Sequence, residues 1–107
     1  MAKPHIWIHY ARPRSAWYNL DDSEKDQHME HWFTVKEASV AGGAQEIGRY
    51  HVRGQSDFSI VEVWHFPDAD AAFDHWSKLT VADYSEWFTS HNNIGFAMDL
   101  TAERSDS

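Results

Sequence analysis

Short stretches rich in β-branched and aromatic residues predict four strands in this chain. Residues 5–10 form the first, which ends before Pro13 because proline cannot continue a central-strand ladder. Residues 45–52 and 58–66 flank a polar, turn-like segment of five residues, a pattern that favours a hairpin. Residues 94–100 predict the fourth strand.

Between these strands lie two long segments, and the spacing of their apolar residues predicts a helix in each. Asp21, with Glu24 three residues later, resembles a capping box, and the helix runs to the glycine pair 42–43. One buried stripe is expected along this helix, formed by Met29, Trp32, Phe33, Lys36 and Val40. Pro67 opens a second helix, and a helical stretch over residues 81–88 continues the same layer.

The order of elements, βαββαβ, predicts the ferredoxin-like α+β arrangement, a four-stranded antiparallel sheet with both helices on one face. Residues of equal parity should share a sheet face if no bulge intervenes. The even-numbered face is then almost wholly apolar and consists of Ile6, Ile8, Tyr10, Tyr50, Val52, Phe58, Ile60, Glu62, Trp64, Phe66, Ile94, Phe96, Met98 and Leu100. The odd-numbered face is mixed and carries His5, Trp7, His9, Ile47, Arg49, His51, Ser59, Val61, Val63, His65, Gly95, Ala97 and Asp99.

Both faces of such a sheet need a cover. The helices cover one of them, and an apolar face left open on the other side would be an association surface. The pattern therefore predicts a homodimer, in which two sheets pack through identical faces about a two-fold axis and make a barrel-like core.

Composition narrows the class of protein. The 107 residues fit a single domain, residues 1–107, with a polar tail at 101–107 that we expect to fray. The net charge of −8 repels phosphate backbones and anionic bilayers, so neither nucleic acid nor a membrane is an expected partner.

Cysteine is absent, which excludes disulfides and thiolate chemistry. The chain has no long apolar run, and we expect a cytoplasmic protein.

Eight histidines in so short a chain are the main indication of a functional site. His5, His9, His51 and His65 share the predicted odd-numbered face. With the first strand beside the third, a centred register places His5 opposite His65, where the pair could share a proton, bind a metal or pass a proton to a substrate. The alternative for each histidine is a structural role, as a hydrogen-bonded or strand-end residue.

Arg49 and Trp7 lie on the same predicted face as these histidines. Arg49 could hold a carboxylate or stabilise an enolate oxygen, or it could pair with Asp99 or Glu37. Trp7 would provide an aromatic wall for a flat ligand. If His75 on the second helix faces the sheet, it meets this face as well.

Several local motifs accompany this order of elements. His5 enters the first strand, Ile60-Val61-Glu62-Val63-Trp64 makes up most of the third, and Phe66-Pro67-Asp68 opens the second helix. Together they resemble the dimeric α+β barrel superfamily, which includes antibiotic-biosynthesis monooxygenases, muconolactone-isomerase-like proteins and olivetolic-acid-cyclase-like proteins. The spacing of Pro13, Trp17 and Leu20 resembles an uncharacterised branch of that superfamily.

The resemblance to the cyclases implies roles for individual residues. It implies a catalytic His5 and a cavity-lining Val61, and it places His75 where those enzymes have a tyrosine. Their second important histidine falls near Val81, which departs from the cyclase pattern.

The leading expectation is a small dimeric enzyme, without a metal or organic cofactor, that acts on a hydrophobic aromatic or polyketide-like molecule by acid–base chemistry. Cyclisation, isomerisation and cofactor-free oxygenation would share a first step of proton removal. The expected catalytic residues are His5, His75, His65 and Arg49, and the expected ligand-binding residues are Trp7, His9, His51 and Val61. One alternative is a heme protein or a transition-metal protein with His5, His65 and His75 as ligands. Another is a non-catalytic, ligand-binding or pH-responsive dimeric module.

Overall fold

Four strands and four helices make up the part of the chain that the computed structural model describes, residues 3–54 and 57–98. The strands are β1 (His5–Pro13), β2 (Gln45–His51), β3 (Ile60–Phe66) and β4 (Phe88–Gly95). The helices are α1 (Ser15–Tyr18), α2 (Asp22–Ala41), α3 (Ala69–Val81) and α4 (Tyr84–Trp87). The predicted ferredoxin-like α+β class is confirmed.

The four strands form one antiparallel sheet in the order β2-β3-β1-β4, so β1 and β3 are central. Helix α3 packs over these two strands, and α2 packs against α3 and β2. The core lies between the helices and the sheet, where Trp7, Trp64 and Phe66 are almost completely buried. These three large side chains explain why the helix-facing side of the central strands excludes water.

The prediction that residues of equal parity share a sheet face is wrong. β1 pairs His9 with Glu62 of β3, so odd positions of β1 lie beside even positions of β3. The hairpin pairs His51 with Ile60, which leaves an even number of residues, 52–59, between two paired positions. A bulge at Ile47 changes the parity of β2 once more. The helix-facing positions are therefore odd on β1 but even on β3.

The predicted pairing of His5 with His65 is wrong for the same reason. His65 pairs with Ile6, on the face away from the helices, and is exposed. His5 pairs with Phe66, and its Nδ1 lies 2.7 Å from the carbonyl oxygen of Lys3. The two imidazoles therefore share neither a sheet face nor a proton.

The start of α2 agrees with its sequence signal. The carboxylate of Asp21 accepts a hydrogen bond of 2.8 Å from the backbone N–H of Glu24, and Glu24 Oε1 accepts one of 3.2 Å from the backbone of Asp21. The helix ends at Gly42, and Gly43 takes a φ of 106°, a conformation that favours glycine. Within residues 3–54 and 57–98, no helix, α2 included, is long and apolar enough to cross a membrane.

The predicted buried stripe of α2 forms only in part. Trp32 is 6% exposed, and its indole N–H donates to the carbonyl oxygen of Ala82 over 3.0 Å. Met29, Phe33 and Val40 from the same stripe are 46%, 59% and 52% exposed. Part of α2 therefore stands away from the sheet, with its apolar residues beside an open space.

The chain after α3 differs most from its prediction. The helical stretch expected at 81–88 is broken after Val81, and Asp83, with a φ of 64°, turns the chain into the single turn of α4. The fourth strand begins at Phe88, which pairs with Pro13 at the end of a first strand longer than predicted. The end of the predicted strand, residues 99 and 100, and the predicted frayed tail at 101–107 lie outside the described residues.

The face of the sheet opposite the helices is largely apolar. Its central positions are half-buried, and they are Ile6, Ile8, Tyr10, Val61 and Val63. An apolar sheet face therefore exists, as predicted, although β3 contributes its odd positions and not the expected even ones.

Candidate functional site

A row of four polar side chains crosses the helix-facing side of the sheet, one on each strand. The register places Glu62 of β3 beside Arg49 of β2 and beside His9 of β1. On its other side, His9 pairs with Asn92 of β4. Directly opposed residues of an antiparallel pair share a face, with Cβ atoms about 5 Å apart. We call Arg49, Glu62, His9 and Asn92 the polar row.

Glu62 is a buried carboxylate with two fixed partners. It is 5% exposed, and its Oε1 lies 3.0 Å from Lys36 Nζ of helix α2. The same oxygen accepts a hydrogen bond of 3.2 Å from the indole N–H of Trp64. Burial alone would raise the pKa of Glu62, but the nearby Lys36 ammonium and these hydrogen bonds hold it below its usual range. Glu62 is therefore ionised at neutral pH.

His9 links Tyr84 to Asn92 through its two ring nitrogens. Its Nδ1 lies 2.5 Å from Oδ1 of Asn92, and its Nε2 lies 2.7 Å from the hydroxyl of Tyr84. Because an amide oxygen only accepts, Nδ1 carries the hydrogen, and the hydroxyl of Tyr84 donates to Nε2. Burial lowers the pKa of His9 and raises that of Tyr84, so both side chains are neutral at pH 7.

His75 of α3 is a second buried imidazole, 1% exposed. Its Nδ1 shares a hydrogen bond of 2.6 Å with Ser39 Oγ, and its ring packs on Trp7, Trp64 and Phe66 at centroid distances of 4.8 to 5.3 Å. Its Nε2 has no hydrogen-bond partner in the described part of the chain. Burial lowers the pKa of His75 to about 4, which keeps the ring neutral.

A cleft of about 900 Å³ opens between α2 and the sheet. Its apolar walls are Met29, Trp32, Phe33, Leu79 and Phe88. Its polar lining includes Lys36, Arg49, Glu62 and Tyr84, and the polar residues Ser23, Asp26, Gln27 and Glu30 of α2 complete it. Arg49 is exposed, and it makes no ion pair with any residue that the structure describes. The cleft thus combines aromatic walls with a free guanidinium and a Lys36–Glu62 ion pair.

Four residues predicted for the site lie on the helix-facing side. His9 and Arg49 belong to the polar row. Trp7 stacks on the ring of His9 with centroids 4.8 Å apart, and its centroid lies 5.2 Å from that of His75. The structure therefore brings His9, Trp7 and His75 into one buried cluster, with Arg49 at the edge of the same sheet face.

The other four predicted residues do not join this cluster. His5 lies at the start of β1 against the ring edge of Phe96, and His65 lies on the opposite face of the sheet. His51 is exposed at the end of β2. Val61 pairs with Tyr10 on the face away from the helices, so it does not line the cleft as the resemblance to the cyclases implied.

The predicted metal ligands His5, His65 and His75 are not brought together either. His65 is exposed on one face of the sheet, whereas His75 is buried on the other. Over the described ranges, no three histidine, cysteine, aspartate or glutamate side chains are grouped to hold a metal ion.

Sequence reasoning missed four residues of this site, namely Lys36, Ser39, Tyr84 and Asn92. Lys36 was placed in the apolar stripe of α2, where a lone cation among hydrophobic residues signals a buried counter-charge. Tyr84 was placed inside a continuous helix, and Asn92 was placed before the fourth strand began. Only the strand register, which the sequence pattern does not specify, puts Asn92 beside His9.

Comparison with known proteins gives a fold and no sequence family. No family model matches the chain, and no curated protein matches it. Solved structures do match. A chlorite dismutase-like protein superposes with a TM-score of 0.74 and 18% identity, over 92% of this chain and 46% of that one. A variant of chlorite dismutase from Candidatus Nitrospira defluvii superposes with a TM-score of 0.75 and 14% identity, over 92% of this chain and 42% of that one. A heme-binding protein from Thermus thermophilus superposes with a TM-score of 0.68 and 14% identity, over 88% of this chain and 40% of that one.

These neighbours correct two predictions from the sequence. The expected enzyme without a cofactor, and the expectation of no cofactor, are contradicted by neighbours that include a heme-binding protein. The chain spans less than half the length of each neighbour, and the identities are low, so the likeness shows the fold. The chain has the ferredoxin-like α+β fold of the chlorite dismutase-like α+β barrel proteins.

Proposed function

We propose that this protein binds heme in the cleft between α2 and the sheet. The observation that carries the proposal is the cleft itself, whose volume of about 900 Å³ lies within the range of roughly 300–1,000 Å³ typical of small-molecule sites. Similarity of fold to a heme-binding protein from Thermus thermophilus supports the same choice.

The walls of the cleft suit a flat apolar macrocycle. Phe33 and Met29 project into it from α2 and stay about half exposed, so they present apolar surface that a ligand could cover. Trp32 and Phe88 form the deeper part of the wall, with centroids 5.5 Å apart in an edge-on arrangement. A planar aromatic ligand would bury these surfaces and so gain hydrophobic free energy.

Two cations of the cleft lining could hold the two carboxylates of heme, beside the acidic side chains Asp26, Glu30 and Glu62 of the same lining. Arg49 is exposed and without an ion pair among the described residues, so its guanidinium is available to a carboxylate. Lys36 is already paired with Glu62, and its remaining N–H groups can donate to a second oxygen. The protein as a whole carries a net charge of −8, so binding of an anionic group would depend on these two cations.

Two buried side chains offer an atom for the iron. One is the Nε2 of His75, which has no partner in the described structure but does not line the cleft, and the other is the hydroxyl oxygen of Tyr84, a residue of the cleft lining. Heme supplies iron-centred redox chemistry when it is bound, and the protein supplies binding, orientation and exclusion of water.

The direct test is a titration of the purified protein with hemin, followed by absorption spectroscopy. We expect a saturable shift of the main absorption band at one hemin per chain. Iron-free protoporphyrin should bind more weakly, because it keeps the contacts with the walls but lacks the metal bond. A spectrum that stays equal to the sum of its components would overturn the proposal.

We further propose that a second copy of this chain is a partner, packed on the sheet face opposite the helices. Ile6, Ile8 and Val63 give this face an apolar centre. Sedimentation analysis should find a dimer that Val63→Lys dissociates, while Val81→Lys, at an 84% exposed position of α3, leaves it intact. A monomeric wild-type protein would reject this interface.

A further inference from the structure

We infer that Tyr84, and not a histidine, supplies the protein ligand to iron in the cleft. The inference rests on the proposed heme binding and specifies its chemistry. Tyrosine is one of the side chains that hold heme iron in proteins, alongside histidine, cysteine and methionine. The choice between tyrosine and histidine here follows from which of their donor atoms lie at the cleft.

Tyr84 is held at the cleft in a fixed orientation. It is 8% exposed, and its ring stacks on Phe88 with centroids 5.1 Å apart and an interplanar angle of 7°. Trp32 meets the same ring edge-on at 5.1 Å. All three residues line the cleft, so the phenol is part of a packed aromatic wall. Such packing fixes the side chain before a ligand arrives, which is what a metal-binding group requires.

The hydrogen bonds of Tyr84 leave its oxygen as an acceptor. The hydroxyl hydrogen points to His9 Nε2 over 2.7 Å, and His9 is held in the matching tautomer because its Nδ1–H donates to Asn92. With its one hydrogen committed, the oxygen presents lone pairs to any further partner. A metal ion with open coordination positions is such a partner.

The same arrangement would place a proton acceptor beside the phenol. The Nε2 of His9 lies 2.7 Å from the hydroxyl oxygen of Tyr84, so it could accept the hydroxyl proton if this oxygen bound a metal ion. The Nδ1–H of His9 would continue to donate to Asn92.

The histidines are less suited to this role. None of the residues that line the cleft in the described structure is a histidine. The Nε2 of His75 is without a partner, but the ring is enclosed by Trp7, Trp64 and Phe66, so a macrocycle could reach it only after these side chains moved. The Nε2 of His9 is occupied by the hydroxyl of Tyr84.

The test is resonance Raman spectroscopy of the hemin complex together with hemin affinities. The wild-type complex should contain the vibrations of an iron-bound phenolate, a measurement that needs no substitution. Tyr84→Phe should lose these vibrations and about a hundredfold in affinity, since even outer-sphere partners of metal ligands are worth about 10- to 100-fold. Tyr18→Phe is the matched control at a 66% exposed position, and it should match the wild type in both measurements.

Two different results would overturn the inference at different levels. Hemin binding by the wild type with an imidazole spectrum, lost in His75→Phe and kept in Tyr84→Phe, would reject Tyr84 as the ligand while the proposed function stands. Failure of the wild type to bind hemin at all would reject the proposed function, and the inference with it. Tyr84→His is a further test in which binding is retained. This variant should bind hemin with an imidazole spectrum in place of the phenolate vibrations.

Discussion

Lys36 and Glu62 form an ion pair beneath helix α2, with Nζ 3.0 Å from Oε1. Lys36 comes from α2, part of which stands away from the sheet, and Glu62 comes from the middle of β3. Their side chains are 21% and 6% exposed. Because both charges are largely removed from water, each depends on the other, and the pair stabilises the position of α2 above the cleft.

Replacing Glu62 with glutamine should therefore destabilise the fold. The amide can still accept from Trp64, but Lys36 is left without its counter-charge, at a cost of about 2 kcal/mol. Urea unfolding at pH 7 measures the loss. Glu37→Gln, at an exposed neighbouring position of α2, is the control and should unfold with the wild-type midpoint. Equal midpoints for the two variants would contradict the role assigned to the pair.

The burial of His75 makes the fold sensitive to mild acid. Its pKa is lowered from 6.5 to about 4, so between these values the unfolded chain binds a proton that the folded chain does not. The contribution of neutral His75 to the free energy of unfolding is fully present above pH 6.5. It decreases by about 3 kcal/mol as the pH drops towards 4. His9, whose pKa is also lowered, adds to the same trend.

His75→Phe should remove most of this acid sensitivity. Phenylalanine can occupy the aromatic surroundings of His75, and half-buried Ser39 can turn its hydroxyl to water. We expect nearly wild-type stability at pH 7 and a shallower decline between pH 6.5 and 4, measured by thermal unfolding across that range. His65→Gln, at an exposed site, should keep the wild-type decline. A His75→Phe profile parallel to the wild type would show that another group controls the acid response.

The local signals in the sequence were enough for the order of elements. The capping box at Asp21 and the glycine pair after Ala41 act over three or four residues, so their effect does not depend on distant contacts. The hairpin was predicted for a similar reason, since a polar, turn-like segment stands directly before residues 58–66, which are rich in β-branched and aromatic residues. Such features could be predicted because their causes lie next to them in the chain.

The site could be predicted much less well, because it depends on strand register. His9 and Arg49 were identified as candidates by residue type, but their neighbours on the sheet were not. One bulge at Ile47 and the length of the β2–β3 connection decide which side chains of β2 and β3 face the helices. The position of Tyr84 was not predicted because the chain turns at Asp83. This residue has a left-handed backbone conformation, which an aspartate does not signal strongly in the sequence.

Phe33→Ala tests whether the exposed wall of the cleft serves a ligand. Phe33 is 59% exposed, so its truncation should change the unfolding midpoint of the free protein little. If a flat ligand covers this ring, the hemin affinity should fall about tenfold, because a contact of roughly 50 Å² of apolar surface is lost. Phe73→Ala, at a 58% exposed position of α3 away from the cleft lining, is the matched control. Equal hemin affinities in the two variants would place the ligand elsewhere.

Arg49→Gln tests the proposed contact with a heme carboxylate. The guanidinium is exposed in the free protein and has no ion pair among the described residues, so the fold should tolerate its loss. We expect hemin affinity to fall about fivefold at low salt, and the difference from wild type to shrink at high salt, because exposed charges are screened. Arg53→Gln, beyond the end of β2, removes the same charge away from the cleft lining and is the control. If both variants lose affinity equally, the effect comes from the net charge of the protein, and the carboxylates of the ligand do not lie beside Arg49.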